Sequence, residues 1–428
     1  LISIGLKTDG TLWTWGNNEL GILGDGTTLD KSSPIQVGSL TDWYSSESSG
    51  NPLALSRRSW AIVKPNGTLW TCGKGDWGLL GDGTTVDKSS PVQVGALTTW
   101  STVAAGYGMV LAIRTDGTLW GFGNNSSGTI GDGTTTNRSS PVQVGSATDW
   151  TSVSGGSSHT VALKAGKVFV WGQNDSGTLG QGNTTHYSSP VQIGSATDWV
   201  SISGGWKNSF LINSSGKLYV VGENSTGELG NGNTTDTSTI AQLGSLTNWS
   251  KIFNGFQHSI AVKTDKSLWS WGVNADGQLG QDNTTNLSSP VQVGSDLDWV
   301  IPGVASASAG QGENTSLFRE SFVDVVDTGK QLFTWGKNDD GQLGHGGVVY
   351  KSSPNQVGSR SVWAALGKTR QSFSIGLKAD GTLWSWGEND QGQLGFDSSG
   401  ANVLSPTQIG SLNTWRSILC RVDVCWNW

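Results

Sequence analysis

Apolar and polar residues alternate along this chain in short runs that stop at glycine, and the stretch Ala112 to Trp150, AIRTDGTLWGFGNNSSGTIGDGTTTNRSSPVQVGSATDW, holds the whole pattern. One run meets Asp116-Gly117 and a second reaches Phe122-Gly123. A polar loop rich in Gly, Asn and Thr follows, then SSPVQVG, then a run headed by tryptophan, TDWTSVSGG. Period-two alternation bounded by turn residues predicts strands, and no stretch carries the 3.6-residue period of a helix. Asp-Gly between two such runs predicts a type I′ hairpin, because both turn residues must tolerate positive φ. Asn66-Gly67, Ala165-Gly166 and Ser215-Gly216 hold the same place. Asp265-Lys266 departs from it and predicts a different or strained turn.

The unit recurs. Trp15-Gly16, Cys72-Gly73, Phe122-Gly123, Trp171-Gly172, Val221-Gly222, Trp271-Gly272, Trp335-Gly336 and Trp386-Gly387 mark eight copies, and a period of roughly 50 residues points to a repeat architecture. Each copy also has a strand headed by Trp43, Trp100, Trp150, Trp199, Trp249, Trp299, Trp363 or Trp415, as expected if one buried indole seals each contact between repeats. Proline in SPVQV suits an edge strand, which does not need every ladder donor. The copy with Ser238-Thr239-Ile240 lacks that proline, so its edge is expected to be less sharply defined. Four strands per copy predict an all-β propeller of four-stranded antiparallel blades, eight in number with seven as the alternative, in a single domain spanning 1–428. The run headed by Trp415 and the run at Ser3 are complementary parts of one repeat, so the C-terminal strand is expected to complete the blade begun at the N-terminus.

Composition narrows the class. The chain has 63 Gly, 23 Trp and 14% charged residues, neither a disordered polymer nor a membrane protein of long apolar runs. A formal net charge of -7, with Lys and Arg scattered, argues against general nucleic-acid binding. No signal peptide, lipidation motif or membrane span is visible. Residue 1 is Leu and lies inside a repeat, so a processed product or a fragment of a longer polypeptide is expected. Cys72 reads as a buried apolar filler. Cys420 and Cys425 are spaced to allow a disulfide in an oxidising compartment, with two free thiols as the alternative.

Trp171-Gly172-Gln173-Asn174, Gly177, Leu179-Gly180, Pro190 and Val191, with His159-Thr160 before Ala162-Leu163, resemble the regulator of chromosome condensation repeat family. The resemblance covers nearly the whole chain. It implies a propeller, commonly of seven blades where eight units are counted here. It also implies guanine-nucleotide exchange on a small GTPase as one activity of the family, through an inserted β-wedge and a basic tail that are not visible in this sequence.

Candidate chemistry is sparse. His159, His186, His258 and His345 show no metal-ligand spacing, and Gly367-Lys368-Thr369 lacks the leading glycine of a phosphate loop. The Gly-Asp-Gly-Thr-Thr segments lack the ligand spacing of a calcium loop and read as self-capped turns. Neither a metal nor another cofactor is expected. More informative are the positions where the pattern lapses. Tyr107, Ser157, Trp206 and Phe256 share one repeat position, and with Arg57, Arg58, Trp60, Lys368 and Arg370 they are the candidate partner-binding surface, lining of the channel entrance being the alternative. The long connections Tyr44 to Ser59 and Gly303 to Glu320 are expected to follow the Trp-led strand and to emerge on one side of the ring. The function expected is a non-enzymatic binding or display scaffold on an extracellular or virion surface, such as a tail-fibre-like appendage or adhesin. It would contact a protein partner or a cell-surface glycan within a larger assembly, without nucleic acid and without membrane insertion. The alternatives are a protein inhibitor acting through a propeller face and a guanine-nucleotide exchange factor.

Overall fold

The computed structural model describes residues 2–43, 53–56, 58–254, 257–297, 299–300, 322–327, 329–358, 362–367, 372–396 and 400–421. Their strands form eight four-stranded antiparallel sheets, the blades of a propeller. Blade 3 shows the plan: Trp100–Ala105, Met109–Arg114, Leu119–Gly123 and the outer strand Arg138–Gln143 follow one another in sequence and in space. The Trp-led strands of successive blades touch one another, which places them nearest the axis.

Blade 1 is shared between the two ends of the chain. Ile2–Lys7 pairs antiparallel with Trp415–Arg421, Ile2 opposite Arg421, and that strand supplies the innermost position. The closure expected from the repeat is thus present. Eight apolar clusters, each drawn from two neighbouring blades, make the joints of the ring. The cluster containing Trp15, Phe373 and Trp415 joins blade 8 to blade 1.

Tryptophan seals the joints in two ways. The Trp-led rings are buried, and their N–H groups have no oxygen partner. They meet third-strand aromatics edge-on instead, as Trp199 meets Tyr219 at 5.0 Å. A lysine often crosses this pair: Lys7 Nζ lies 3.5 Å from the Trp13 ring centre and 4.9 Å from that of Trp415. The tryptophans next to the third-strand glycine instead donate to a backbone carbonyl of the preceding blade. Trp15 reaches Gln393 O at 3.0 Å, Trp171 reaches Thr129 O at 2.9 Å and Trp271 reaches Glu228 O at 2.8 Å. A hydroxyl opposite each ring, that of Ser3, Thr160 or Ser259, donates to the same oxygen.

Blade 2 exchanges these roles. Trp60 lies on the second strand opposite Cys72 on the third, and its indole donates to Ile22 O at 2.8 Å, the corresponding carbonyl of blade 1. Trp60 is therefore only 1% exposed and part of the core, which corrects its assignment to a partner-binding surface. Cys72 is the buried filler expected, its thiol raised far above the ordinary range by burial.

Two local expectations change. The hairpins at Gly10, Gly67, Gly117, Gly216 and Gly381 have positive φ at glycine while the residue before it does not, so they are not type I′. Lys7 N donates to Thr11 O and Gly10 N to Lys7 O, the pattern of a three-residue loop closed by one left-handed residue. The type I′ turn occurs at Ala165-Gly166, where both φ values are positive. Lys266 occupies the left-handed position with φ 66°, the strained turn expected there. The connection Tyr44 to Ser59 also differs from expectation: Leu53 lies opposite Ile62 as Val103 lies opposite Ala112, so Leu53–Leu55 belongs to the first strand of blade 2, while 44–52 lie outside the described residues. Gly303 to Glu320 lies outside the described residues, as do the side chains of Cys420 and Cys425.

Candidate functional site

Antiparallel pairing brings the loop between first and second strands, and the loop between third and outer strands, to one end of the ring. In blades 3, 4 and 5 the first of these loops carries Tyr107, Ser157 and Trp206, and the structure brings the three together. The rings of Tyr107 and Trp206 meet edge to face with centres 6.2 Å apart and planes at 88°. Ser157 lies between them in chain order and donates its hydroxyl to the Trp206 carbonyl. Glycine permits this approach: a Cβ at Gly156 would lie 2.1 Å from the His159 ring and 2.9 Å from Gly205 O.

Beneath the loops, His159 and His258 are fully buried, and desolvation pulls both down to about 4, so both are neutral near pH 7. His159 Nε2 is 3.2 Å from Ser209 Oγ across the joint of blades 4 and 5. Beside Trp206, Lys207 pairs with Glu223 at 3.6 Å, and burial raises the Glu223 carboxyl above its ordinary range. Arg58 is half-buried, and its carbonyl accepts from Lys74 N as Gly108 O accepts from Asn124 N, which sets it in the same loop register. Arg57, Phe256, Lys368 and Arg370 lie outside the described residues.

Trp77 extends this aromatic surface and escaped the sequence reading. Its ring lies over Gly108, the neighbour of Tyr107; a Cβ there would come within 3.1 Å of Trp77 Cζ3. Its own backbone is left-handed, φ 59° and ψ 10°, an outlier for a bulky residue. The cause is one substitution. Seven copies carry a buried asparagine two residues after the strand glycine, and Asn125 shows why: Nδ2 donates to Asp132 Oδ1 at 3.0 Å while Oδ1 accepts from Ile130 N at 2.9 Å. Blade 2 has Gly75 there, and Asp76–Gly78 folds into a 3-10 turn that sets Trp77 on the face. Glycine in place of that asparagine was the available signal.

The self-capped reading of the Gly-Asp-Gly-Thr-Thr loops agrees with the geometry. Asp25 Oδ1 accepts from the Thr27 amide at 2.9 Å and from Asn18 Nδ2 at 3.0 Å, and its other oxygen pairs with Lys31 at 3.1 Å. A groove of about 470 Å³ between blades 1 and 2 is lined by Asp25, Leu40, Trp43, Trp70 and Pro91, and its one carboxylate is already engaged in this way. Among the described residues no group of three His, Cys, Asp or Glu could hold a metal ion, and no helix is long and apolar enough to cross a membrane.

Models of the regulator of chromosome condensation repeat match seven stretches, 9–49, 66–113, 116–163, 165–212, 265–312, 331–369 and 380–420, well over half the chain, and a second model of that repeat matches 100–129 and 249–278. The chain belongs to this family. The zebrafish RCC2 homolog (Danio rerio) is 36% identical over 89 residues, 20% of this chain and 17% of that protein. The Arabidopsis thaliana RCC1 domain-containing protein RUG3, mitochondrial, is 29% identical over 135 residues, 26% of this chain and 30% of that protein. The chain thus spans well under half the length of these relatives. Among solved structures, Prp20p from Saccharomyces cerevisiae aligns with TM-score 0.59 and 17% identity over 84% of this chain and 86% of its own. Human WBSCR16 aligns with TM-score 0.60 and 20% identity over 86% and 98%. At these identities the likeness shows the fold.

The expected extracellular or virion-surface location is overturned by these relatives. One of them is named as mitochondrial. The Gly, Thr and Asn of the loops follow from the turn chemistry of the fold.

Proposed function

We propose that residues 1–428 form one non-enzymatic propeller domain that binds a protein partner on the loop face carrying Trp77, Tyr107 and Trp206, with Arg58 at its margin. The observation that carries this reading is the Tyr107–Trp206 contact, two partly exposed aromatic side chains held by Ser157 at the mouth of the ring. Rigid aromatics lose little entropy on docking and anchor protein interfaces efficiently. Burial of both histidines in the neutral state, with His159 hydrogen-bonded to Ser209, supports a structural part for these groups. A photo-crosslinking side chain at position 206 is expected to capture a partner in cell extract. The same group at Leu97, exposed on the connection after an outer strand at the opposite end of the ring, is not; equal capture at both positions overturns the reading.

A second reading is regulation of a small GTPase, favoured by the fold likeness to Prp20p, whose structure is described with binding to Gsp1p. Release of a labelled guanine nucleotide from a panel of small GTPases tests it. Acceleration by the wild type that Trp206→Ala abolishes would support it, and unchanged release across the panel would reject it.

A further inference from the structure

Asparagine is followed by glycine at three places, Asn66, Asn231 and Asn254, and the fold treats the three differently. A carboxamide in this setting is open to attack by the next amide nitrogen, because glycine has no Cβ to obstruct ring closure. Asn66 is exposed at the tip of the blade 2 hairpin, ahead of Gly67 at φ 77°. Its Oδ1 accepts from the Thr68 amide at 3.1 Å and from Thr68 Oγ1 at 2.7 Å. The first bond closes an Asx turn that folds the carboxamide back over the peptide joining Asn66 to Gly67. The second is directed, because Thr68 Oγ1 accepts from the Trp70 indole at 2.9 Å and so turns its proton to Asn66. Two donors on one carbonyl oxygen are what a tetrahedral oxyanion needs.

The other two sites are held back. Gly67 N donates to Lys64 O, a bond inside an exposed hairpin, whereas Gly232 N is tied at 2.7 Å to Ser288 O of the next blade. Asn231 Oδ1 accepts from Asn224 Nδ2 at 2.9 Å and only distantly, at 3.4 Å, from the Asn233 amide. Asn254 is buried, its carboxamide donating to Ser203 Oγ. The fold is also built for the product of reaction at Asn66. Asp9, Asp116 and Asp380 stand at this place in blades 1, 3 and 8 and accept the same pair of bonds from Thr11, Thr118 and Thr382.

We propose that Asn66 is a self-modification site, deamidated to aspartate in the folded protein with the assistance of Thr68. Gly67 N attacks Asn66 Cγ and gives up its proton to water. The new N–Cγ bond closes a succinimide as Nδ2 takes a proton and leaves as ammonia. Water then adds at Cγ, the N–Cγ bond breaks and Gly67 N recovers a proton, so one water is consumed, one ammonia is released and nothing is oxidised or reduced. Addition of water at the main-chain carbonyl would give isoaspartate instead; the Thr68 donors sit on the Cγ oxygen and polarise that carbon, which favours aspartate. Modified blade 2 then carries a second carboxylate beside the Lys64–Asp42 pair, where blades 1, 3 and 8 have Thr414, Thr99 and Val362 in place of Asp42.

Incubation of the full chain at mildly alkaline pH in heavy-oxygen water, followed by peptide mass mapping, tests this. Asn66 is expected to become labelled aspartate well ahead of Asn231 and Asn254. Thr68→Val is expected to slow conversion roughly tenfold, the effect of losing one well-placed hydrogen bond. Thr68→Ser is expected to preserve the rate, since Ser267 makes the same bond to Asp265 in blade 6. A Thr68→Val chain that converts as fast as the wild type or faster overturns the proposal, because a loosened hairpin alone would speed ring closure. Equal conversion at Asn231, or isoaspartate as the main product, overturns it too.

Discussion

Trp60 sits opposite Cys72 across blade 2, the reverse of blade 1, where Ser3 sits opposite Trp15. In both, the indole donates to one carbonyl of the preceding blade, that of Ile22 or Gln393. The joint specifies an indole N–H at one point in space and does not specify which strand supplies it. Trp60→Ala is expected to cost about 3–5 kcal/mol, because it empties a full ring from the core and leaves the carbonyl unpaired. Cys72→Trp alone is expected to destabilise by overpacking. Trp60→Ser combined with Cys72→Trp restores the arrangement of blade 1 and is expected to recover more than half the loss, measured as a double-mutant cycle in urea. Additive costs would show that blade 2 has repacked beyond the exchange.

Trp206→Ala is expected to weaken partner binding at least tenfold while shifting the thermal midpoint by only a few degrees, since the ring is partly exposed and caps no joint. Parallel loss of binding and midpoint would make Trp206 a packing residue.

Gly108→Ala places a methyl within 3.1 Å of the Trp77 ring, so that ring must move. A change in Trp77 fluorescence, read against Trp77→Phe, is the expected signature. Partner binding is expected to fall with it if Trp77 belongs to the docking face.

The buried histidines make stability depend on pH. Their folded values of about 4 lie below the ordinary value near 6.5, so between those limits the unfolded chain binds more protons than the folded one. Their contribution is complete above pH 6.5 and is lost as pH falls towards 4, at about 3 kcal/mol for each fully buried ring. His258→Asn, copying Asn208 at the same place in blade 5, is expected to flatten the fall of the thermal midpoint between pH 6.5 and 4. An unchanged slope would show that His258 does not govern it.

Much of the fold was legible because each blade repeats the same physical demands: period-two strands, glycine where φ is positive, proline at an edge, one indole per joint. Closure was legible because the Trp415 and Ser3 runs complete one repeat. The site was legible only in part. Tyr107, Ser157 and Trp206 share a repeat position, so counting found them, although their mutual contact depends on ring geometry. Trp60 was misassigned because an aromatic out of register reads as a lapse in pattern, when it restores the same hydrogen bond from the adjacent strand. Trp77 was missed because its display results from the loss of Asn at position 75, and an absent side chain is easy to pass over. The hairpin type was misread because Asp-Gly is compatible with more than one loop, and the Asp9 side chain, accepting from the Thr11 amide at 3.0 Å, favours the longer one.

The pairing of Ile2–Lys7 with Trp415–Arg421 also orders events in time. As the chain leaves the ribosome, Ile2–Lys7 must wait for Trp415–Arg421, and until then one flank of Ile2–Lys7 and the tryptophans Trp13 and Trp15 lack the Trp415 ring that covers them. Every other blade can form soon after its own residues emerge. The nascent propeller therefore passes through an open arc with an unguarded strand in blade 1, and that is when a holding chaperone would matter most.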